Sequence, residues 1–326
     1  MGQYSSSGHI QDPVTTNTSF LTDTKGVTVL DNCILVVAKV IYLTLRIILR
    51  ISLGRRRRDR IYIKRKIGFN SFFYNFMRIL GYINHRRLKI IVPKYNYKFV
   101  CRVNNEDYTF MTGHEDAILE RFYCKKDDIV LDVGAHIGHY TIISSERVGS
   151  NGKVVAIEAD PSNFEMLNYN IRLNQLTNVI SLNYAASSKE EKVKLYLPSQ
   201  ESGFTIYNTI MTDRASTEKD KFIQVNANTL DNLLEQNGIS HEDVNWIKID
   251  VEGAEYEVLK GATSILSKSK DIALLIEVHG FDNYKPIVEF LKSYDLEIEF
   301  ETGNEEGDWK HIIARKYYGS HIQQRS

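Results

Sequence analysis

Val130-Leu131-Asp132-Val133-Gly134-Ala135-His136-Ile137-Gly138-His139-Tyr140-Thr141 is the stretch that decides the fold of this chain. An apolar run ends in an acid, and Gly-x-x-x-Gly then opens onto a helical pattern. That is how a parallel strand hands a nucleotide-like ligand to a helix N-terminus. Twenty residues past Gly138, a second apolar run, Lys153 to Ile157, ends in Glu158, a carboxylate placed to hold two ribose hydroxyls. Together the two runs predict half of an adenosyl-cofactor domain.

Two cofactors compete for this half-domain. A dinucleotide fingerprint reads G-x-G-x-x-G, whose glycines let backbone approach a pyrophosphate. Here His136 stands where the middle glycine would be, and no Arg or Lys nearby offers a countercharge. S-adenosylmethionine has no phosphate and needs only room for its methionine part and an acid near its ammonium. The pattern therefore favours S-adenosylmethionine over NAD. Asp132, Gly134, Ala135, His136, Gly138, Tyr140 and Thr141 are its expected contacts, with Glu158 on the ribose. A bare structural strand-to-helix turn is the competing reading for the glycines alone.

Beyond Val103 strand and helix patterns alternate, which argues for a parallel sheet with helices on both faces. Helices are expected over Asp116 to Tyr123, Gly138 to Val148 and Pro161 to Asn174, with Pro161 in a first turn. A strand from Val179 to Leu182 leads to Asn183 and Ala185, where an adenine edge could meet backbone. Two further β-like runs, Lys192 to Leu197 and Lys221 to Val225, read as a small insert. A helix from Thr229 to Gln236 ends near Gly238.

A second dense segment follows. Trp246-Ile247-Lys248-Ile249-Asp250 delivers Asp250 at a strand end, before Val251-Glu252-Gly253-Ala254-Glu255 enters a helix. Ile272 to His279 delivers Glu277 and His279. Ligands of open α/β sheets bind outside the carboxyl ends of the strands, so Asp132, Glu158, Asn183, Asp250 and Glu277/His279 are expected around one crevice. Methyl transfer to an alcohol needs in-line approach and a base for the hydroxyl proton. Asp250, Glu252 and His279 are the candidates; the alternative is that Asp250 and Glu252 cap the next helix. All three are also residue types that ligate metals, yet no spacing here is a metal signature; no metal ligand is assigned and metal dependence stays open.

Asp132-Val-Gly-Ala-His-Ile-Gly-His-Tyr-Thr141, Glu158-Ala-Asp-Pro161, Leu230-Asp231 and Lys248-Ile-Asp250-Val-Glu252-Gly-Ala-Glu255, in this order, resemble the FkbM family of S-adenosylmethionine-dependent methyltransferases. The resemblance runs from about Gly113 to Arg315, and the Lys-x-Asp-x-Glu-Gly-x-Glu block carries most of its specificity. It implies a Rossmann-like class I fold, a mostly parallel seven-stranded sheet whose last strand, Trp309 to Arg315, is reversed. It implies methylation of a hydroxyl on a sugar, glycan, lipid-linked or secondary-metabolite acceptor, with Lys248 joining Asp250, Glu252 and His279 at the catalytic site. Many members carry Asn at the position of His136; either residue can hydrogen-bond a cofactor carboxylate. Two other classes stay open: a ribose methyltransferase acting on nucleic acid, and a non-catalytic scaffold.

The 326 residues carry zero formal net charge, and that zero hides an asymmetry. Cys33 to Arg102 holds 18 Lys and Arg against Asp59 alone, whereas Val103 to Ser326 holds 22 basic and 37 acidic residues. The expected organisation is a disordered tail over 1–30, a basic and aromatic helical region over 31–104, a methyltransferase domain over 105–318 and a tail over 319–326. Within the basic region, residues 33–58 combine a nearly unbroken apolar helix with a stripe of Lys39, Arg46, Arg50 and Arg57. Arg46 near its centre leaves membrane insertion close to balance. A helix lying on an anionic membrane fits the same facts, as does one packed on the body. Aromatics among the basic residues, Phe72 to Tyr97, could stack on bases, but a cap whose rings are core is favoured and nucleic acid is not expected. Three widely spaced cysteines and no signal-peptide pattern suggest a reducing, cytoplasmic setting with possible membrane association.

Overall fold

The computed structural model of the protein describes residues 87–92, 97–102, 116–197, 221–303 and 309–316. In chain order its elements are β1 (Arg87–Val92), β2 (Tyr97–Arg102), α1 (Asp116–Arg121), β3 (Ile129–Val133), α2 (His139–Val148), β4 (Lys153–Ile157), α3 (Pro161–Leu173) and β5 (Val179–Leu182). There follow β6 (Ala185–Ala186), β7 (Glu191–Leu197), β8 (Lys221–Asn228), α4 (Leu230–Gln236) and β9 (Val244–Ile249). The last are α5 (Glu255–Lys260), α6 (Thr263–Lys268), β10 (Ile272–His279), α7 (Phe281–Ser293), β11 (Glu297–Gly303) and β12 (Trp309–Lys316).

Apolar runs without alternation suit strands buried on both faces, and those runs form the middle of a seven-stranded sheet ordered β11-β12-β10-β9-β3-β4-β5. The five central and right-hand strands pair in parallel, while β12 is antiparallel to both of its neighbours. This is the class I methyltransferase order, with the reversed strand where it was expected. Leu131, Val133, Ile247, Ile249 and Leu274 pack on one face against α4, α5, α6 and α7. Val130, Trp246, Leu275 and Ile313 pack on the other, with Phe122 of the α1 loop and Ile142 of α2. The insert is a separate three-stranded sheet, β6-β8-β7, with a small core of Ala185, Leu195, Val225 and Ala227.

Local sequence sets the helix ends. Asp160 accepts from the backbone of Ser162 and Asn163 and so caps α3, with Pro161 in its first turn as expected. Asp231, from the Leu230-Asp231 pair, accepts from Ser264 N at 2.8 Å and Ile265 N at 3.1 Å, capping α6 from a distant helix.

The expectation of a helical region over 31–104 needs correcting at its C-terminal end. Residues 87–102 form an antiparallel hairpin of β1 and β2. In β2, Tyr97, Phe99 and Val100 are buried and Lys98 is exposed. Its open edge is met by side chains of α3 rather than by another strand. Asn170 accepts from Val100 N at 2.8 Å and donates to Val100 O at 3.0 Å; Asn174 does the same for Lys98 at 2.8 and 2.7 Å. The two amides, one helical turn apart, thus stand in for a strand. Tyr97 and Phe99 meet the His139 ring edge-on at about 6 Å inside the core, so Tyr97 is packing and not a platform for bases. The tails, the 33–58 segment and the other aromatics named above lie outside the described residues. No helix among the described residues is long and apolar enough to cross a membrane.

Candidate active site

The carboxyl end of β3 and the loop after β9 meet in one knot. Register places Asp132 directly beside Lys248, so both side chains stand on the same face. Lys248 Nζ donates to Gly134 O at 2.9 Å and lies 3.3 Å from Asp250 and 3.7 Å from Asp132. Asp132 is fully buried and also accepts from Thr141 Oγ1 at 2.5 Å. Burial pushes its carboxyl up, and Lys248 and Thr141 counter this. Gly134 has φ +73°, and a Cβ there would stand 1.8 Å from the carbonyl oxygen of Asp250. The glycine is therefore required by the approach of the second signature loop.

The second strand end is built around Glu158. Its carboxylate accepts from His136 N at 2.7 Å and Asp160 N at 2.8 Å, with Asn163 Nδ2 at 3.5 Å. His136 takes a left-handed φ of 52°, which turns its N–H toward Glu158. Burial pushes the Glu158 carboxyl up to about 7, against the backbone donors that hold it down. A carboxylate has about four acceptor sites, so these three donors leave about one of them open. Asn183 donates to Glu158 O at 2.8 Å and Ala159 O at 3.1 Å, holding this loop in place. Ala185 lies buried in β6, paired with Ala227.

The third group lies across the same sheet face. Asp250 leaves β9 and His279 ends β10, whose parallel pairing aligns Ile249 with Ile276. His279 Nδ1 lies 2.9 Å from Glu255 Oε1, while its Nε2 lies 3.3 Å from Glu252 and 3.6 Å from Glu277. Glu252 reaches the ring because its backbone is left-handed, φ 55°. Glu277 in turn lies 3.2 Å from His311 Nε2 of β12, its register partner. Burial pushes Glu252 up, and the neighbouring acids push it further against His279, leaving it well above the usual carboxyl range. Burial would lower His279, but the Glu255 bond and the charges of Glu252 and Asp250 win and raise it to about 10. Burial would raise Asp250, yet the charges of Lys248 and His279 hold it low.

The capping alternative for Asp250 and Glu252 fails, since the N-cap of α5 is Ala254 with no side-chain bond, and both acids face elsewhere. Asp250, Glu252 and His279 do come together. Tyr140 and Thr141, expected to touch cofactor, face inward: Tyr140 packs on Phe122 and Thr141 holds Asp132. Three residues were not assigned to the site from sequence. Glu255, fully buried, orients His279 and ends the signature block, which was its only signal. His311 and Trp309 enter through the pairing of β12 with β10, which places Trp309 opposite His279. Trp309 is a large aromatic left 38% exposed.

Comparison with known proteins places this geometry in a family. The model of the methyltransferase FkbM domain matches residues 132–298. The hexuronic acid methyltransferase AglP of Haloferax volcanii is 30% identical over 210 residues, 63% of this chain and 78% of that protein. Methyltransferase 1 of Beauveria bassiana is 22% identical over 164 residues, 45% of this chain and 65% of that protein. Among solved structures, methyltransferase FkbM of Methylobacillus flagellatus aligns with a TM-score of 0.42 at 17% identity, covering 65% of this chain and 54% of that one. The chain belongs to the FkbM family of S-adenosylmethionine-dependent methyltransferases.

Proposed function

We propose that the enzyme methylates a hydroxyl of a sugar, in a glycan or a lipid-linked saccharide. The observation that carries this reading is the row of polar side chains along one sheet face at the ends of β3, β9, β10 and β12. It runs from the cofactor half, through Asp250, Glu252 and His279, to the exposed ring of Trp309 opposite His279. An exposed indole beside buried carboxylates suits a sugar ring, which offers an apolar face and a rim of hydroxyls. The likeness to a hexuronic acid methyltransferase supports the same class.

In this reading S-adenosylmethionine supplies an electrophilic methyl on a sulfonium. Glu158 accepts the ribose hydroxyls, and the turn of Gly134, Ala135, His136 and Gly138 bounds the methionine part. Asn183 positions Glu158 against the adenosine. Asp132, Tyr140 and Thr141 act from behind, through Lys248 and the core. The acceptor hydroxyl gives its proton to the Asp250, Glu252, His279 and Glu277 group, and its oxygen attacks the methyl carbon in line. The C–S bond breaks with its electron pair moving to sulfur, leaving a methyl ether and a neutral thioether. The basic 33–58 segment supports attachment to an anionic membrane, which would hold the acidic body over lipid-linked acceptors.

Incubating the full chain with isotopically labelled S-adenosylmethionine and a panel of saccharides, hexuronic acids included, tests the acceptor class. Mass spectrometry should find one methylene of added mass on a sugar oxygen. Label that enters RNA and leaves every saccharide untouched would overturn the proposal.

A further inference from the structure

The site holds an arrangement that proton transfer alone does not need. One ligand atom from each of Asp250, Glu252 and His279 lies within 4.8 Å of the others. An octahedral ion with bonds of about 2.1 Å spaces neighbouring ligands about 3 Å apart and opposite ones about 4 Å, so the triangle would contract to close on a cation. Asp250 and Glu252 stand two positions apart, but His279 lies 27 positions beyond Glu252, which is why the spacing gave no metal signature.

The His279 ring supplies a second, independent observation. Its Nδ1 is fixed at 2.9 Å from Glu255 Oε1, and Glu255 is fully buried and also accepts from Gly253 N at 2.8 Å. A carboxylate clamped on one imidazole nitrogen aims the other at the cluster and raises its basicity, as for histidines that bind metal. Charge agrees with this. Asp132, Asp250, Glu252, Glu255 and Glu277 are all less than a quarter exposed, and Lys248 is the lysine set among them. Lys248 stands at the Asp132 side of Asp250, whereas Glu252, Glu255 and Glu277 face histidines, and their negative charge loses that partner once His279 gives up its proton to ligate an ion. Buried charge of one sign needs a counterion.

We propose that Asp250, Glu252 and Nε2 of His279 bind a divalent cation of the Mn²⁺ or Mg²⁺ type. Carboxylate ligands suit both Mg²⁺ and Mn²⁺. The role of the ion rests on the O-methyl transfer reading above; its binding does not. Held on the ion's open positions, the acceptor hydroxyl becomes more acidic. Its proton passes to Glu277, which His311 backs at 3.2 Å. The oxygen then takes the methyl as the C–S bond breaks, so the positive sulfonium and the new alkoxide end as two neutral products.

The probe is Mn²⁺ alone, titrated into full-length protein that has been treated with chelator and dialysed. Electron paramagnetic resonance reads the loss of the free aqueous Mn²⁺ signal. One ion per chain is expected, with binding weakened at least about tenfold in Asp250→Asn and in His279→Gln. Retained S-adenosylmethionine affinity in those variants shows that they are folded. Failure of the wild type to bind Mn²⁺, or binding that neither substitution weakens, overturns the proposal. Full saccharide methylation in the presence of chelator would also sink the ion while leaving the acceptor reading intact. Saturable Mn²⁺ binding without methylation of any saccharide would leave the ion site standing and remove the acceptor reading instead.

Discussion

Lys248 Nζ lies 2.9 Å from the carbonyl oxygen of Gly134 and so joins the two signature segments, 114 residues apart, into one unit. Its ammonium also offsets Asp132 and Asp250. Removing one partner of a buried charge group costs about 3–5 kcal/mol. Lys248→Met should therefore lower stability by that amount in urea unfolding and weaken cofactor binding as a consequence. Wild-type stability with lost turnover would make Lys248 a catalytic residue instead of a positioning one.

With Glu158 on the ribose, as proposed above, cofactor binding should depend on pH. Its carboxyl, pushed up to about 7, is largely protonated below that pH and then accepts ribose hydroxyls poorly. Affinity for S-adenosylmethionine should fall as pH drops from 8 to 6. A charged contact is worth about 2–3 kcal/mol, so Glu158→Gln should bind about 30- to 100-fold more weakly at pH 8 and show little pH dependence. Stability of the ligand-free fold runs the other way. A carboxyl raised above its unfolded value stabilises at low pH, and that contribution is lost as pH rises through about 7. Calorimetry of both proteins across this range checks both signs.

Much of this was legible because parallel strands advertise themselves. Apolar runs ending at Asp132, Glu158, Asp250 and His279 mark both the sheet and the edge where its ligands sit. The β1–β2 hairpin was not legible, because its two short runs sit in a basic and aromatic stretch and the groups that pair its edge, Asn170 and Asn174, lie 70 and 76 positions away. His311 was hidden for a similar reason, since only the register of β12 on β10 brings it to Glu277. The inward turn of Tyr140 and Thr141 reflects helix phase, which a glycine motif does not specify.

Two glycines separate backbone strain from steric conflict. Both Gly134 and Gly238 have left-handed φ, but a Cβ at Gly238 meets nothing within 4 Å. Gly238→Ala should cost about 1–2 kcal/mol. Gly134→Ala must in addition drive the Asp250 carbonyl away, and should cost more than about 3 kcal/mol while abolishing cofactor binding. Equal costs in denaturant titration would mean that the two loops are not in contact.

Trp309 should govern the acceptor and leave the cofactor alone. Covering an aromatic side chain is worth about 1.5–3 kcal/mol, so Trp309→Ala should raise the acceptor KM about tenfold or more, with S-adenosylmethionine affinity unchanged. Trp309→Phe should recover most of the loss. A fall in kcat at constant KM would place the ring in the chemistry instead.

The amides of Asn170 and Asn174 make the unit that folds larger than the unit that is recognised. The family match spans residues 132–298, yet β2 before it is fastened to α3, and β12 after it completes the sheet. A gene fragment cut to the match would leave Asn170 with buried, unmet hydrogen bonds and β10 with a bare edge. Expression boundaries belong ahead of Arg87 and beyond Lys316, and chimeras that exchange acceptor specificity should carry the hairpin together with the helix that holds it.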